Sequence, residues 1–167
     1  LFRSRDAYRP VVMRGVVRHV VLTAVALVAA AVSACATTSA PADDIKASEI
    51  SPSLGVNFAD YTRTPEGLFY KDVVVGEGAV AGDRSKVTVA YRGFIADGTE
   101  VDKSIDFTFK MGSGQVIKGW QIGVQGMRVG GARILVIPPH LGYGWKTVGA
   151  IPANSILLFR VELVAVQ

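Results

Sequence analysis

Residues 116–144 read VIKGWQIGVQGMRVGGARILVIPPHLGYG, and the pattern inside this stretch decides the fold. Trp120, Val124 and Met127 fall at i, i+4 and i+7, a single apolar stripe. That spacing predicts one short helix over 118–127. Gly123 and Gly126 lower its intrinsic helix propensity, but they let a helix lie close against a sheet. Ala132–Ile137 follows as an apolar run, and Pro138-Pro139 stops it. A one-faced helix followed at once by a strand predicts helix-on-sheet packing.

Outward from this stretch the chain alternates short apolar runs with glycine. Leu68–Val75 reads as a strand and Gly76-Glu77-Gly78 as a turn. In Lys86–Phe94, Val87, Val89 and Tyr91 share one face, and Thr88, Ala90 and Arg92 the other. Asp97-Gly98 is a turn signal. Phe107 and Phe109 flank Thr108 in another short strand, and Ser155–Val164 alternates through Leu157, Phe159, Val161 and Leu163. About five strands and one short helix imply an α+β domain, a curved antiparallel sheet wrapped around the helix.

Composition narrows the chemistry. The chain has 167 residues, 50% apolar and 19% charged, with 18 glycines, which excludes a disordered or collagen-like polymer. One cysteine excludes an intramolecular disulfide and a Cys-built metal site. The net charge of +4 sits in residues 1–34, which hold five Arg against Asp6. Residues 35–167 carry 13 basic and 13 acidic side chains, so no nucleic-acid partner is expected. Phosphate-loop and dinucleotide fingerprints are missing. His140 is the only histidine after residue 35, and it follows Pro138-Pro139 as a surface turn residue. No metal and no cofactor are expected. Asp102 and Asp106 read as solvated loop charges rather than as a hydrolytic dyad. Tyr91, Phe107, Phe109, Trp120, Tyr143, Trp145 and Phe159 lie near glycines, and they read either as core or as the lining of an apolar ligand pocket.

The N-terminal region reads as an address. Met13 opens a second start, with Arg14 and Arg18 ahead of thirteen residues, Val20–Val32, in which only Thr23 is polar. Ser33, Ala34 and Cys35 follow, the layout of a secretory signal peptide. Residues 1–12 carry no signal logic, which leaves two readings of the start: Met13, or Leu1 as a start codon read as leucine. The apolar run is short for a membrane span; a retained anchor helix is the alternative. Val32-Ser33-Ala34-Cys35 resembles a bacterial lipobox, which implies lipidation of Cys35 and cleavage before it. Several acyl chains hold a protein firmly to a bilayer where one does not. The expected location is the bacterial cell envelope, lipid-anchored and facing the periplasm or the exterior. With Ala36 after the cysteine, that is the outer membrane in a two-membrane cell. The expected organisation is a leader over 1–34, Cys35 with a flexible tether to residue 66, and one domain over 67–167. Leu54, Val56, Phe58 and Tyr61 could still dock on that domain.

The stretch 67–164 resembles FKBP-type peptidyl-prolyl cis-trans isomerases. The motifs are Gly67-Leu68-Phe69-Tyr70, Val89-Ala90-Tyr91-Arg92-Gly93, Asp97-Gly98-Thr99-Glu100-Val101-Asp102 and Val116-Ile117-Lys118-Gly119-Trp120. After them come Gly126–Gly131, Ile137–Gly144, Ile151-Pro152 and Leu157–Leu163. The resemblance implies the same curved sheet around one helix. It implies a catalytic set of Tyr91, Asp102, Trp120 and Tyr143, with Val101, Phe107, Val116, Ile117, Ile151 and Phe159 binding substrate. In that scheme Trp120 is the floor, Tyr91, Phe107 and Phe159 are walls, and Asp102 stands at the rim. The Ile117 N–H and the Tyr143 hydroxyl would hold the substrate backbone. The implied partners are proline-containing polypeptides and macrolide immunosuppressant-type inhibitors. The implied activity is X–Pro isomerisation that assists folding outside the cytoplasm.

Three departures stand out. Val101 replaces the usual aromatic and is expected to thin one wall. The 82–91 segment is about two residues long for the family. The loop Trp145–Ala150 has its own sequence. A binding module with little turnover and a purely structural envelope lipoprotein are the competing readings. Residues 36–66 are too short and broken for a helical dimerisation domain, so a monomer is expected.

Overall fold

A computed structural model describes residues 45–167. The strands are β1 (Thr62–Arg63), β2 (Phe69–Val74), β3 (Lys86–Ile95), β4 (Glu100–Lys110), β5 (Ala132–Ile137) and β6 (Leu157–Val166). The helix α1 is Lys118–Val124. All strands join one antiparallel sheet in the order β1-β2-β5-β6-β3-β4. The sheet has six strands where about five were expected, because Thr62–Arg63 adds a short pair on Phe69 and Tyr70. β4 is also longer than the Phe107–Phe109 segment legible in sequence.

One face of the sheet holds the helix. α1 buries Gly119, Trp120, Gly123 and Val124, and Leu135 and Ile137 of β5 meet it from below. A Cβ added at Gly123 would stand 2.6 Å from both Leu135 methyl carbons, so only glycine admits this approach. The helix ends at Val124, short of the expected Met127. Gln125 already has extended ψ 133 and Gly126 turns left-handed at φ +76, a conformation that favours glycine and ends helices. Met127 is nevertheless buried, so the apolar stripe runs past the helix into the chain that follows it.

The other face is covered as well. Along β5 and β6 successive side chains alternate, so Val136 and Leu158 point away from the helix. They pair in register and are both almost fully buried. What buries them is the segment before β1. It runs through three short 3-10 turns, Ala47–Glu49, Pro52–Leu54 and Phe58–Asp60. Ile45 and Ile50 are buried there, and Leu54, Val56, Phe58 and Tyr61 pack around them. The Phe58 and Phe69 rings lie 4.6 Å apart. The Ser51 N–H donates to the Ala96 carbonyl at 2.7 Å, and Lys71 pairs with Asp60 at 3.1 Å.

The tether expectation is therefore corrected: residues 45–66 form a docked strap, and the folded unit starts before Gly67. The physical reason is that Val136 of β5 and Leu158 of β6 form an apolar patch on the face away from the helix, and that patch needs cover. The leader, Cys35 and residues 36–44 lie outside the described residues. No helix among the described residues is long and apolar enough to cross a membrane.

The strap makes a measurable claim on stability. Ile50 is 6% exposed, and truncating a buried isoleucine to alanine costs upward of about 2 kcal/mol. Ile50→Ala is expected to lower unfolding stability in urea by about 2 kcal/mol. A change under about 0.5 kcal/mol, the scale of an ordinary surface substitution, would mean the strap adds nothing.

Candidate functional site

A cavity of about 340 Å³ opens between α1 and the sheet. It is lined by Tyr91, Asp102, Phe107, Gly114, Gln115, Val116, Ile117, Trp120, Tyr143 and Phe159. Each element delivers its residues for a local reason. β3 brings Tyr91 inward in the same alternation that buries Val87 and Val89. β4 supplies Asp102 and Phe107, and β6 supplies Phe159. A Cβ at Gly93 would collide with the Phe159 ring, so glycine on β3 makes room for that wall. Val116 and Ile117 form the entry to α1, and Trp120 lies in its first turn. Tyr143 follows the 3-10 turn Pro139–Leu141 that Pro138-Pro139 starts.

Trp120 organises the interior. Its ring meets Tyr91 at 4.9 Å, Phe159 at 5.2 Å, Phe109 at 5.7 Å and Phe107 at 6.0 Å, all edge to face. Edge-to-face contact places positive ring edges on negative ring faces and fixes the rings' orientation. Tyr91 is held a second time, its hydroxyl donating to Asp102 Oδ2 at 2.7 Å. Burial first, and then the bond to Asp102, push the Tyr91 phenol far above its usual range. Burial and the Asp102 charge raise Tyr143 as well.

Two donors remain open to a guest. Among the described residues the Ile117 N–H has no hydrogen-bond partner, because it stands at the helix N-terminus. The Tyr143 hydroxyl has none either, and its side chain is exposed at the cavity mouth. Among the described residues no group of three or more His, Cys, Asp or Glu side chains could hold a metal ion. An aromatic-walled cavity with two donors and one carboxylate can bind a polypeptide segment and hold its backbone. It has no nucleophile poised for covalent chemistry.

Eight of the ten residues expected at the site line the cavity. Val101 and Ile151 do not. Val101 is half-buried against the core, and Ile151 is buried in it beside its bridge to Val148. Gly114 and Gln115 were not foreseen. They belong to the loop between β4 and α1, where Gln115 Oε1 accepts from the Lys110 N–H at 3.0 Å and from Ser113 Oγ. Their part is loop shape, which leaves no apolar or titratable signature in sequence.

Comparison with known proteins agrees with this architecture. A family model described as FKBP-type peptidyl-prolyl cis-trans isomerase matches residues 77–164. FK506-binding protein 4 of Emericella nidulans is 42% identical over 130 residues, covering 76% of this chain and 26% of the relative. FK506-binding protein 4 of Aspergillus fumigatus is 46% identical over 105 residues, covering 61% and 22%. The chain thus spans about a quarter of the length of these curated relatives. Among solved structures, FkpA from Escherichia coli superposes with TM-score 0.60 at 38% identity, covering 65% of this chain and 52% of FkpA. AtFKBP13 superposes with TM-score 0.60 at 36% identity, covering 63% of this chain and 97% of AtFKBP13.

The raised phenols predict an alkaline limit. A group whose pKa is higher in the folded state favours folding while it stays protonated. That contribution is complete below the ordinary tyrosine value of 10.0 and is lost as pH rises above it. Urea unfolding is expected to show stability falling above about pH 10, the unperturbed phenol value. Tyr91→Phe, which cannot ionise, is expected to flatten that fall. An equally steep fall in the variant would assign it to other groups.

Proposed function

The chain belongs to the FKBP-type peptidyl-prolyl cis-trans isomerase family, and from that premise we propose that its cavity rotates X–Pro bonds in polypeptide clients. One observation carries the reading: an aromatic cavity floored by Trp120 with unengaged donors at Ile117 and Tyr143. The amide bond resists rotation because resonance must be broken, a barrier of about 18–20 kcal/mol. A twisted amide has lost that resonance and carries less charge separation. An apolar enclosure therefore favours it over the planar ground state, which is differential binding of the transition state.

The residues divide the work. Trp120 supports the proline ring, and Tyr91, Phe107 and Phe159 enclose it. The Ile117 N–H and the Tyr143 hydroxyl donate to the carbonyls that flank the rotating bond. Asp102, fixed by the Tyr91 hydroxyl, presents its carboxylate at the rim. The curated relatives carry FK506 in their names, and a macrolide of that type is expected to compete for the same cavity.

A prolyl-peptide isomerisation assay on the full chain tests this. Tyr143→Phe removes one neutral hydrogen bond, worth about 0.5–1.5 kcal/mol, so kcat/KM should fall about two- to tenfold. Asp102→Ala should also lower it. If wild type binds proline peptides but does not speed their isomerisation, the cavity is a binding module and not an enzyme site.

We also propose an envelope lipoprotein that works on clients outside the cytoplasm. Support comes from the positive, apolar and small-residue order of Arg14–Ala34 and from Cys35 at the lipobox position. Nine residues, 36–44, separate Cys35 from the strap. At full extension a nine-residue stretch spans about 30 Å. Cys35→Ser is expected to move the protein from the membrane fraction to the soluble one. A variant that stays membrane-bound and unprocessed, as wild type does, would remove this part of the proposal.

A further inference from the structure

Arg133, Leu135 and Ile137 alternate along β5 onto one face, the face that carries α1. Leu135 lies under Gly123 and Ile137 under Gly119, each close enough to exclude a Cβ. Arg133 comes next along the strand and reaches the C-terminal end of the helix. Its Nη1 donates to the Gly123 carbonyl at 2.9 Å and to the Gln125 carbonyl at 3.5 Å.

The guanidinium is itself fixed on two other sides. Asp72, its register partner on β2, accepts from Nε at 2.6 Å and from Nη2 at 3.0 Å. The Tyr70 ring centre lies 4.5 Å from Cζ. Only 11% of the Arg133 side chain is exposed. A planar fork gripped by both oxygens of a carboxylate and stacked on a ring has one orientation left. Its remaining arm then sets where Gly123 stands. The positive charge also suits a helix C-terminus, where carbonyls end unpaired.

The apolar contacts of α1 fix it less well. Gly119 and Gly123 let it settle on Ile137 and Leu135, but apolar contact is non-directional. Trp120 lies three residues before Gly123, about 4.5 Å along the helix axis. A shift at Gly123 therefore moves the indole that floors the cavity. Arg133 does not line the cavity, so it reaches the site only through the helix.

We propose that Arg133 is a positioning residue for isomerisation: anchored by Asp72 and Tyr70, it pins the end of α1 and so sets the depth of the Trp120 floor. The proposal rests on the cavity being an isomerase site.

The test measures prolyl-peptide isomerisation by the full chain, at a temperature where circular dichroism shows each variant folded. Arg133→Gln keeps most of the side-chain length and removes the charged fork. It is expected to lower kcat about tenfold, since a misplacement of about 1 Å can cost about a hundredfold. KM should change less than about twofold, because the lost placement is felt by the twisted amide. Arg133→Lys, a point charge without the fork, should recover part of the loss. Asp72→Asn frees the guanidinium without deleting it; it should show a smaller fall in kcat, and it carries the test if Arg133→Gln does not fold. The chain has two tryptophans and Trp145 is 78% exposed, so near-ultraviolet dichroism of the indoles reports mainly Trp120. That signal should weaken in Arg133→Gln. In a Trp120→Phe background Arg133→Gln should cost less than it does in wild type, because coupled residues are non-additive. A lower melting temperature with unaltered kcat, KM and indole signal would make Arg133 structural only and overturn the inference. Equal losses in the two backgrounds would overturn it as well, and both results leave the isomerase reading standing. A wild type without turnover would overturn the isomerase reading and the inference together.

Discussion

The edge-on packing of the Trp120 indole is the contact on which the other features depend. It ties α1 to β3 through Tyr91, to β4 through Phe107 and Phe109, and to β6 through Phe159. Each such pair adds about 0.5–1.5 kcal/mol beyond the area it buries. A helix of seven residues is too short to persist in water by itself. The indole gives it a reason to form, and Gly123 lets it come close enough to do so. Because the rings around the indole are also the walls of the cavity, stability and site geometry are set by the same contacts. Charge enters only at the margin, where Asp102 is held by the Tyr91 hydroxyl.

Sequence patterns revealed these elements unevenly, and the reasons are physical. β3, β5 and β6 were legible because burial gives them continuous or alternating apolar residues. β4 was read only near Phe107 and Phe109, since as an edge strand it also carries Asp102, Lys103 and Asp106, and edge strands tolerate charge. The helix was placed one turn too long, because Met127 is buried from a position beyond the helix end. The strap was legible only as Leu54, Val56, Phe58 and Tyr61, side chains able to dock, because short 3-10 turns have no repeating period. At the site, eight of the ten expected residues line the cavity, while Val101 and Ile151 pack against the core beside it; a family motif conveys neighbourhood and not the direction in which a side chain finally packs. Gly114 and Gln115 act through loop shape, which composition does not record.

The two faces of the sheet also divide the labour. The face over α1 is committed to the cavity and must keep an opening to solvent, so part of its apolar lining, including Tyr143, stays half-exposed. The opposite face has no such duty and is closed by the strap around Val136 and Leu158. The paired Val136 and Leu158 put β5 and β6 in contact with both apolar clusters.

That arrangement has a consequence for how the chain is made. The strap is synthesised before any strand of the sheet, yet its partners Val136 and Leu158 follow some hundred residues later. β6 is central, paired with both β3 and β5, so the sheet has no interior until β6 emerges. Contacts of such long sequence separation pay loop-closure entropy before they return any stability, which slows folding. The strap's isoleucines and aromatics therefore remain uncovered until β5 and β6 have been made. In that interval the earliest-made segment of the domain is also the last to be protected.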